Sequence, residues 1–312
     1  MIYFANRASA VLCNFLNSIE ITKPFLLPSN VCPVVPLSFL KAGVDFEFVD
    51  IDSTHAMSKD ICLSKLKTRE YAGLLFVHAY GKEFDNNDFY ATVKSIDKNL
   101  LIFDDRCLCL PDTSETLPDN IDLQLFSTGY AKYVELSYGG FGKSNLSGIK
   151  SVNLDYDNET EIKQQVYIKQ CLKNREKYNL DPNLPWIDFS PLKMEKEEYF
   201  SIIEKKKIKV KQGKDIINEI YTKLLPKSIQ VEKQLNNWRY IIMVENQQEV
   251  LKAIFEHNLF AGTNFPSVSY LFKSISSPVA EKEASHIINL FNDFRISEEQ
   301  AIEICNVINK VL

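Results

Sequence analysis

Between Phe25 and Ser127 short, continuously apolar segments alternate with stretches of helical periodicity, and few folds accommodate that pattern. The apolar segments are Phe25-Leu26-Leu27, Val44 to Asp52, Tyr71 to His78, Leu100 to Asp105 and Leu123 to Ser127. Phe25 to Leu27, Leu74 to Val77 and Leu100 to Phe103 carry apolar residues at successive rather than alternate positions, so they need cover on both faces. Helical stretches intervene at Val31 to Leu40, Leu63 to Lys67 and Asp88 to Asp97. A first helix is expected over residues 8 to 19, where Val11, Leu12, Phe15, Leu16 and Ile19 share one face. The pattern predicts an α/β fold, a mostly parallel sheet sandwiched by helices. Functional groups in such sheets gather beyond the carboxyl ends of the strands. That edge here carries Pro28-Ser29, Asp50, His78, Asp104-Asp105 and the stretch from Ser127 to Lys132.

After about residue 150 the texture changes. Asp155 to Tyr178 is charged and helical, Leu184-Pro185-Trp186 and Ser190-Pro191 mark a break, and Met194 to Leu225 reads as two further helices. Asn236 to Glu245 reads as a strand, Gln247 to His257 as a helix and Leu259 to Val268 as an irregular strand. Ser297 with Gln300 forms a capping box for a last helix ending at Val311. This order predicts a small α+β domain over residues 151–312, following a large domain over residues 1–150.

With 312 residues and a net charge of −5, the chain has no global charge excess to favour nucleic acid or an anionic membrane. The densest basic run, Lys205 to Lys211, follows the acidic run Glu195 to Glu198 and reads as a solvated helix face. The first residues lack the pattern of a signal peptide, and no apolar run is long enough to span a membrane. Seven cysteines at irregular spacing suit reduced thiols in a cytoplasm. Cys107-Leu108-Cys109 has no second Cys or His pair at ligand spacing, which argues against zinc.

Chemistry concentrates in Phe126 to Gly142. Lys132 stands five residues after Ser127 and seven before Gly139-Gly140, which reads as a strand delivering a lysine into a glycine-walled pocket. A lysine amine in such surroundings can form a Schiff base with an aldehyde. An aldehyde cofactor with a pyridine ring and a phosphate also needs an acid for the ring nitrogen and donors for the phosphate. Asp105 is the first choice for the acid and Asp104 the fallback, although both could simply end a strand and open a turn. The helix opening at Ala8-Ser9 can hold the phosphate through free backbone N–H groups, with Ser127 as a further donor. Arg7 could hold an anion or make an ordinary surface pair, and His78 reads as structural. No Ser/His/Asp motif, P-loop or dinucleotide fingerprint competes.

The series NRASAVL (6–12), LLPSNVCPVV (26–35), KAGVDFEFVDID (41–52), LLFVHAYG (74–81), LIFDDRCLC (101–109), LQLFSTGYAK (123–132) and YGGFG (138–142) resembles the successive blocks of the DegT-type sugar aminotransferases. NNWRYIIMVE (236–245) and NLFNDFRISEEQA (289–301) resemble that family's small domain more loosely. The resemblance implies a fold type I enzyme dependent on pyridoxal 5'-phosphate that transfers an amino group to or from a keto sugar carried on a nucleotide. It implies Lys132 as the Schiff-base lysine, Ser127, Ala8 and Ser9 as phosphate-binding residues, and Asp105 as the partner of the pyridine nitrogen. A homodimer with shared active sites and a role in surface polysaccharide synthesis are implied in the same way. The chain departs from the pattern in three places: Leu108 stands where Gln or His is usual, no aromatic residue is in register at Cys32, and the Asn- and Arg-containing segment that follows Gly142 in relatives is missing. Relatives also carry a longer arm before the first helix. These departures suit an alternative, a relative without turnover that acts as a cofactor-binding or regulatory subunit. Dehydration in place of amino transfer is disfavoured, because the family then usually replaces the lysine by histidine.

Overall fold

The computed structural model of the chain describes residues 1–152, 155–179, 181 and 184–312. A strand, β1 (Ile2–Ala5), precedes the first helix, α1 (Ala8–Ser18). There follow β2 (Phe25–Pro28), α2 (Val34–Lys41), β3 (Phe46–Val49), α3 (Lys59–Leu66), β4 (Gly73–Val77), α4 (Asn87–Ile96), β5 (Leu101–Asp105), β6 (Leu123–Ser127) and β7 (Gly140–Lys143). These strands form one seven-stranded sheet in the order β1-β7-β6-β5-β4-β2-β3. Strands β2 to β6 pair in parallel, whereas β7 runs antiparallel to both β6 and β1. The α/β architecture expected from the apolar segments is therefore present.

Burial on both faces explains the continuous apolar runs. Phe25, Leu27, Leu75 and Phe103 pack on one side with residues of α1 and α2. Leu26, Leu74, Phe76 and Ile102 pack on the other with Cys62 and Leu66 of α3 and Phe89, Tyr90 and Val93 of α4. β7 is a departure from expectation: its sequence, Gly-Phe-Gly-Lys, carries no strand signature. Close packing requires its glycines, since a Cβ on Gly140 would lie 2.3 Å from the Ala8 nitrogen and one on Gly142 would lie 2.7 Å from Leu123 Cδ1. Gly140 thus seats β7 against the start of α1.

The second half contains α5 (Asn158–Asn174), α6 (Lys196–Leu224), β8 (Tyr240–Met243), α7 (Gln247–Glu256), β9 (Ala261–Gly262), α8 (Ser269–Lys273), α9 (Pro278–Ala284), β10 (Ile287–Leu290) and α10 (Glu298–Val311). Strands β8, β10 and β9 form a small antiparallel sheet. Its buried face packs with Val250 and Ile254 of α7 and Ile304 and Ile308 of α10. The capping box at Ser297 and Gln300 is present. Two expected helices between Met194 and Leu225 are one helix of 29 residues, because Gly213 faces open space and does not break it. Tyr199 and Ile203 near its start pack against Phe126 and Phe141, and Ile217 and Tyr221 near its end join the core of the small sheet. α5, although it follows residue 150, contributes Ile168 and Cys171 to the core of the large sheet. No helix among the described residues is long and apolar enough to cross a membrane.

Lys214 on α6 is only 2% exposed and donates from Nζ to the Trp238 carbonyl oxygen and to Asn292 Oδ1, both at 2.7 Å. Burial pushes its amine down to about 7, with Asp293 opposing and Arg239 and Arg295 adding to the fall. The unfolded chain therefore binds more protons at this site between about pH 7 and the ordinary lysine value near 10.4, so its contribution to stability rises with pH across that window. Melting curves of the wild type and Lys214→Met at pH 6 and pH 9 are expected to differ by an offset that moves in favour of the wild type at the higher pH. The same offset at both values would remove this account.

Candidate active site

Beyond the carboxyl ends of β5 and β6 lies a cavity of about 290 Å³, lined among others by Ala8, Ser9, Asp105, Ser127 and Lys132. Parallel pairing sets Asp105 beside Leu125, two residues before Ser127, so the ends of the two strands open at one place. The third component arrives through Arg7, which bridges Gly139 and turns the chain into α1. Arg7 occupies the N-cap position without any side-chain hydrogen bond to the first turn. That helix end keeps its dipole and lacks a side-chain cap, as an anion site requires. Ser127 lies beside it, its Oγ accepting from the Gly129 amide at 3.3 Å.

Asp105 and Asp104 separate cleanly. Adjacent strand residues point to opposite faces, and only Asp105 faces the cavity. Its carboxylate accepts from the Cys107 amide at 2.9 Å. Burial, and next the charge of Asp105, raise the Cys107 thiol well above its ordinary value, while Lys132 pulls the other way. Asp104, expected as the fallback cofactor partner, belongs instead to the packing on the opposite face. It is fully buried and accepts from Tyr90 Oη (2.5 Å), Arg106 Nε (2.7 Å) and Gln124 Nε2 (3.1 Å), with His78 Nε2 at 2.9 Å. His78 is likewise absorbed in this network.

Lys132 is half-buried on the loop between β6 and β7, and its amine makes no hydrogen bond or ion pair with any described residue. The loop is held by its neighbours. Trp238 Nε1 donates to the Ala131 carbonyl oxygen at 2.7 Å, and the Ala131 amide donates to Glu135 Oε2 at 2.8 Å. Glu135 is in turn paired with Arg295. Ala131 sits in the left-handed region with φ 55°, a conformation these bonds hold in place. The glycine wall is not where the spacing put it. Gly139 packs on the Tyr199 hydroxyl and Gly140 on Ala8, and Gly129 is the glycine at the cavity.

Other lining residues carried no signal in the sequence. Gln164 and Ile168 of α5 cover the cavity, and Trp186 to Asp188 enter it from the segment read only as a break. Asp188 accepts hydrogen bonds from Asn6 and from the Ser190 amide. Lys132 also borders a larger groove of about 910 Å³, lined by Lys205, Lys206 and Lys209 of α6 and by Glu135 and Asp293. The basic run is solvated as expected, yet part of it faces a groove leading to the lysine.

No family model matches the chain, and no curated protein matches it in sequence. Solved structures do match. The sugar aminotransferase CalS13 from Micromonospora echinospora is 14% identical, with a TM-score of 0.72 over 100% of this chain and 87% of that one. Helicobacter pylori PseC, an aminotransferase involved in the biosynthesis of pseudoaminic acid, is 13% identical, with a TM-score of 0.71 over 99% and 86%. DesI, solved in the presence of its TDP-sugar product, is 15% identical, with a TM-score of 0.71 over 99% and 80%. The chain has the fold of the sugar aminotransferases.

Proposed function

We propose that the chain is a pyridoxal phosphate-dependent aminotransferase acting on a keto sugar carried on a nucleotide. One observation carries the reading: a single cavity gathers a lysine amine without a partner among the described residues, a buried carboxylate at a strand end, two serines and an uncapped helix N-terminus. That donor set fits the cofactor. The first turn of α1 with Ser9, Ser127 and Arg7 suits a phosphate dianion, and Asp105 suits a protonated ring nitrogen. When bound, pyridoxal phosphate supplies the electron sink that makes a neighbouring C–H bond acidic. Lys132 is the lysine lining this cavity, and its Nζ can hold the cofactor and then carry the proton between substrate and cofactor carbons.

The adjoining groove suits the rest of a large substrate. Its mouth carries Lys205, Lys206 and Lys209, which complement a diphosphate. The similarity to DesI, solved with a TDP-sugar product, supports a nucleotide-linked sugar. A homodimer belongs to the same reading, since Tyr130 at the cavity and Phe294 at the groove are large and exposed, and a second copy could cover them. A place in cytoplasmic synthesis of surface polysaccharide follows from the family resemblance.

Adding pyridoxal phosphate to the purified protein is expected to give a visible band, and adding L-glutamate to bleach it with release of the keto acid. A protein that shows no band at saturating cofactor would refute the assignment. A band that no amino donor bleaches would favour the cofactor-binding subunit without turnover.

A further inference from the structure

Gln164 is 6% exposed and neither atom of its side-chain amide has a partner among the described residues, and the indole nitrogen of Trp186, 5% exposed, has none among them either. Native interiors seldom leave buried polar atoms unpaired. Five such side-chain atoms occur among the described residues, and three of them belong to these two residues, which line the cavity holding Lys132. Coincidence of that kind points to an absent partner in the cavity. Gln164 is also held in place: Ile168 and Cys171, one and two turns further along α5, are buried in the core of the large sheet, so this face of the helix is fixed inward. An apolar side chain of the same size would suit such a position better if packing were all it served.

We propose that Gln164 and Trp186 are contacts to the bound cofactor, an inference that rests on the pyridoxal phosphate reading. The helix end, Ser9 and Ser127 already answer the phosphate, and Asp105 answers the ring nitrogen. A neutral amide, which both donates and accepts, and a neutral N–H donor suit the remaining polar edge of the ring. α5 and the segment around Trp186 are then the wall that closes over the cofactor and fixes its orientation.

The proposal sets stability against binding. In Gln164→Leu the unpaired amide is gone, so the cofactor-free protein is expected to melt at the same temperature as the wild type or higher. Its dissociation constant for pyridoxal phosphate, read from the visible band and from the ligand-induced rise in melting temperature, is expected to weaken about tenfold. Trp186→Phe is expected to weaken binding in the same direction, and the double variant further than either. Equal binding by wild type and both variants would overturn the inference and leave the cofactor reading intact. A Gln164→Leu protein that melts lower without ligand would overturn it too, since the amide would then be structural. Failure of the wild type to bind would bring down the cofactor reading and this inference with it.

Discussion

Lys132→Ala is expected to abolish both the visible band acquired with pyridoxal phosphate and the release of keto acid from an amino donor, while the protein melts within about 2 °C of the wild type. The small effect on stability follows from the environment of the side chain. Its amine has no hydrogen bond or ion pair with a described residue, so its loss strands no buried partner. The loop conformation depends on Trp238, Glu135 and Arg295, which hold the backbone and charge around Ala131. The large effect on chemistry follows from position, because no other lysine lines the smaller cavity. Loss of the proton carrier alone is worth about 100- to 10,000-fold in rate. Lys132→Arg separates charge from nucleophilicity: the guanidinium keeps the positive charge but stays protonated, so the band and turnover should be lost there too. Residual band in either variant would move the covalent role to another amine, with Lys214 across the groove the first to test.

The elements legible in the sequence are those whose burial pattern is one-dimensional. The parallel strands β2, β4 and β5 announced themselves because both faces are covered, and strand ends deliver Asp105 and Ser127 wherever the sheet stops. The same two-sided burial concealed which aspartate faces the cavity. A strand apolar at every position has no alternation from which to read the phase of the pleat, so the sequence keeps Asp104 as a fallback beside Asp105, and only the Tyr90, His78 and Arg106 contacts around Asp104 remove it. β7 was hidden because Gly140 answers to the backbone of Ala8, a contact distant in sequence. Gln164 looks like any polar residue on a charged helix, and its burial depends on where Ile168 docks. The lysines at the start of the Lys205 to Lys211 run satisfy a solvated face and a groove equally well, and only the position of α6 beside the Lys132 loop distinguishes them.

Asparagine substitutions at the two adjacent aspartates are expected to give opposite phenotypes. Asp104→Asn should cost about 3–5 kcal/mol, the range for breaking a buried charged network, and lower the melting temperature by roughly 10 °C. Four side chains address that carboxylate, and Arg106 would be left facing a neutral amide. Asp105→Asn loses far less, since one backbone amide can still donate to its side-chain oxygen, but it removes the negative charge from the cavity. It should therefore fold normally and fail in amino transfer, because an amide cannot pair with a protonated ring nitrogen as a carboxylate does. A pH series adds a further discriminant. Burial alone would raise the Asp104 carboxyl, yet His78, Arg106 and the Tyr90 hydroxyl outweigh it and hold the group below the usual carboxylate range. A carboxyl depressed on folding stabilises the protein above its unfolded value, about 3.9, and that contribution fades as pH falls toward the lower folded value. The gap in melting temperature between wild type and Asp104→Asn should accordingly be constant near neutrality and narrow below about pH 4. A gap that stays wide in acid would show that the asparagine destabilises by shape rather than by loss of charge.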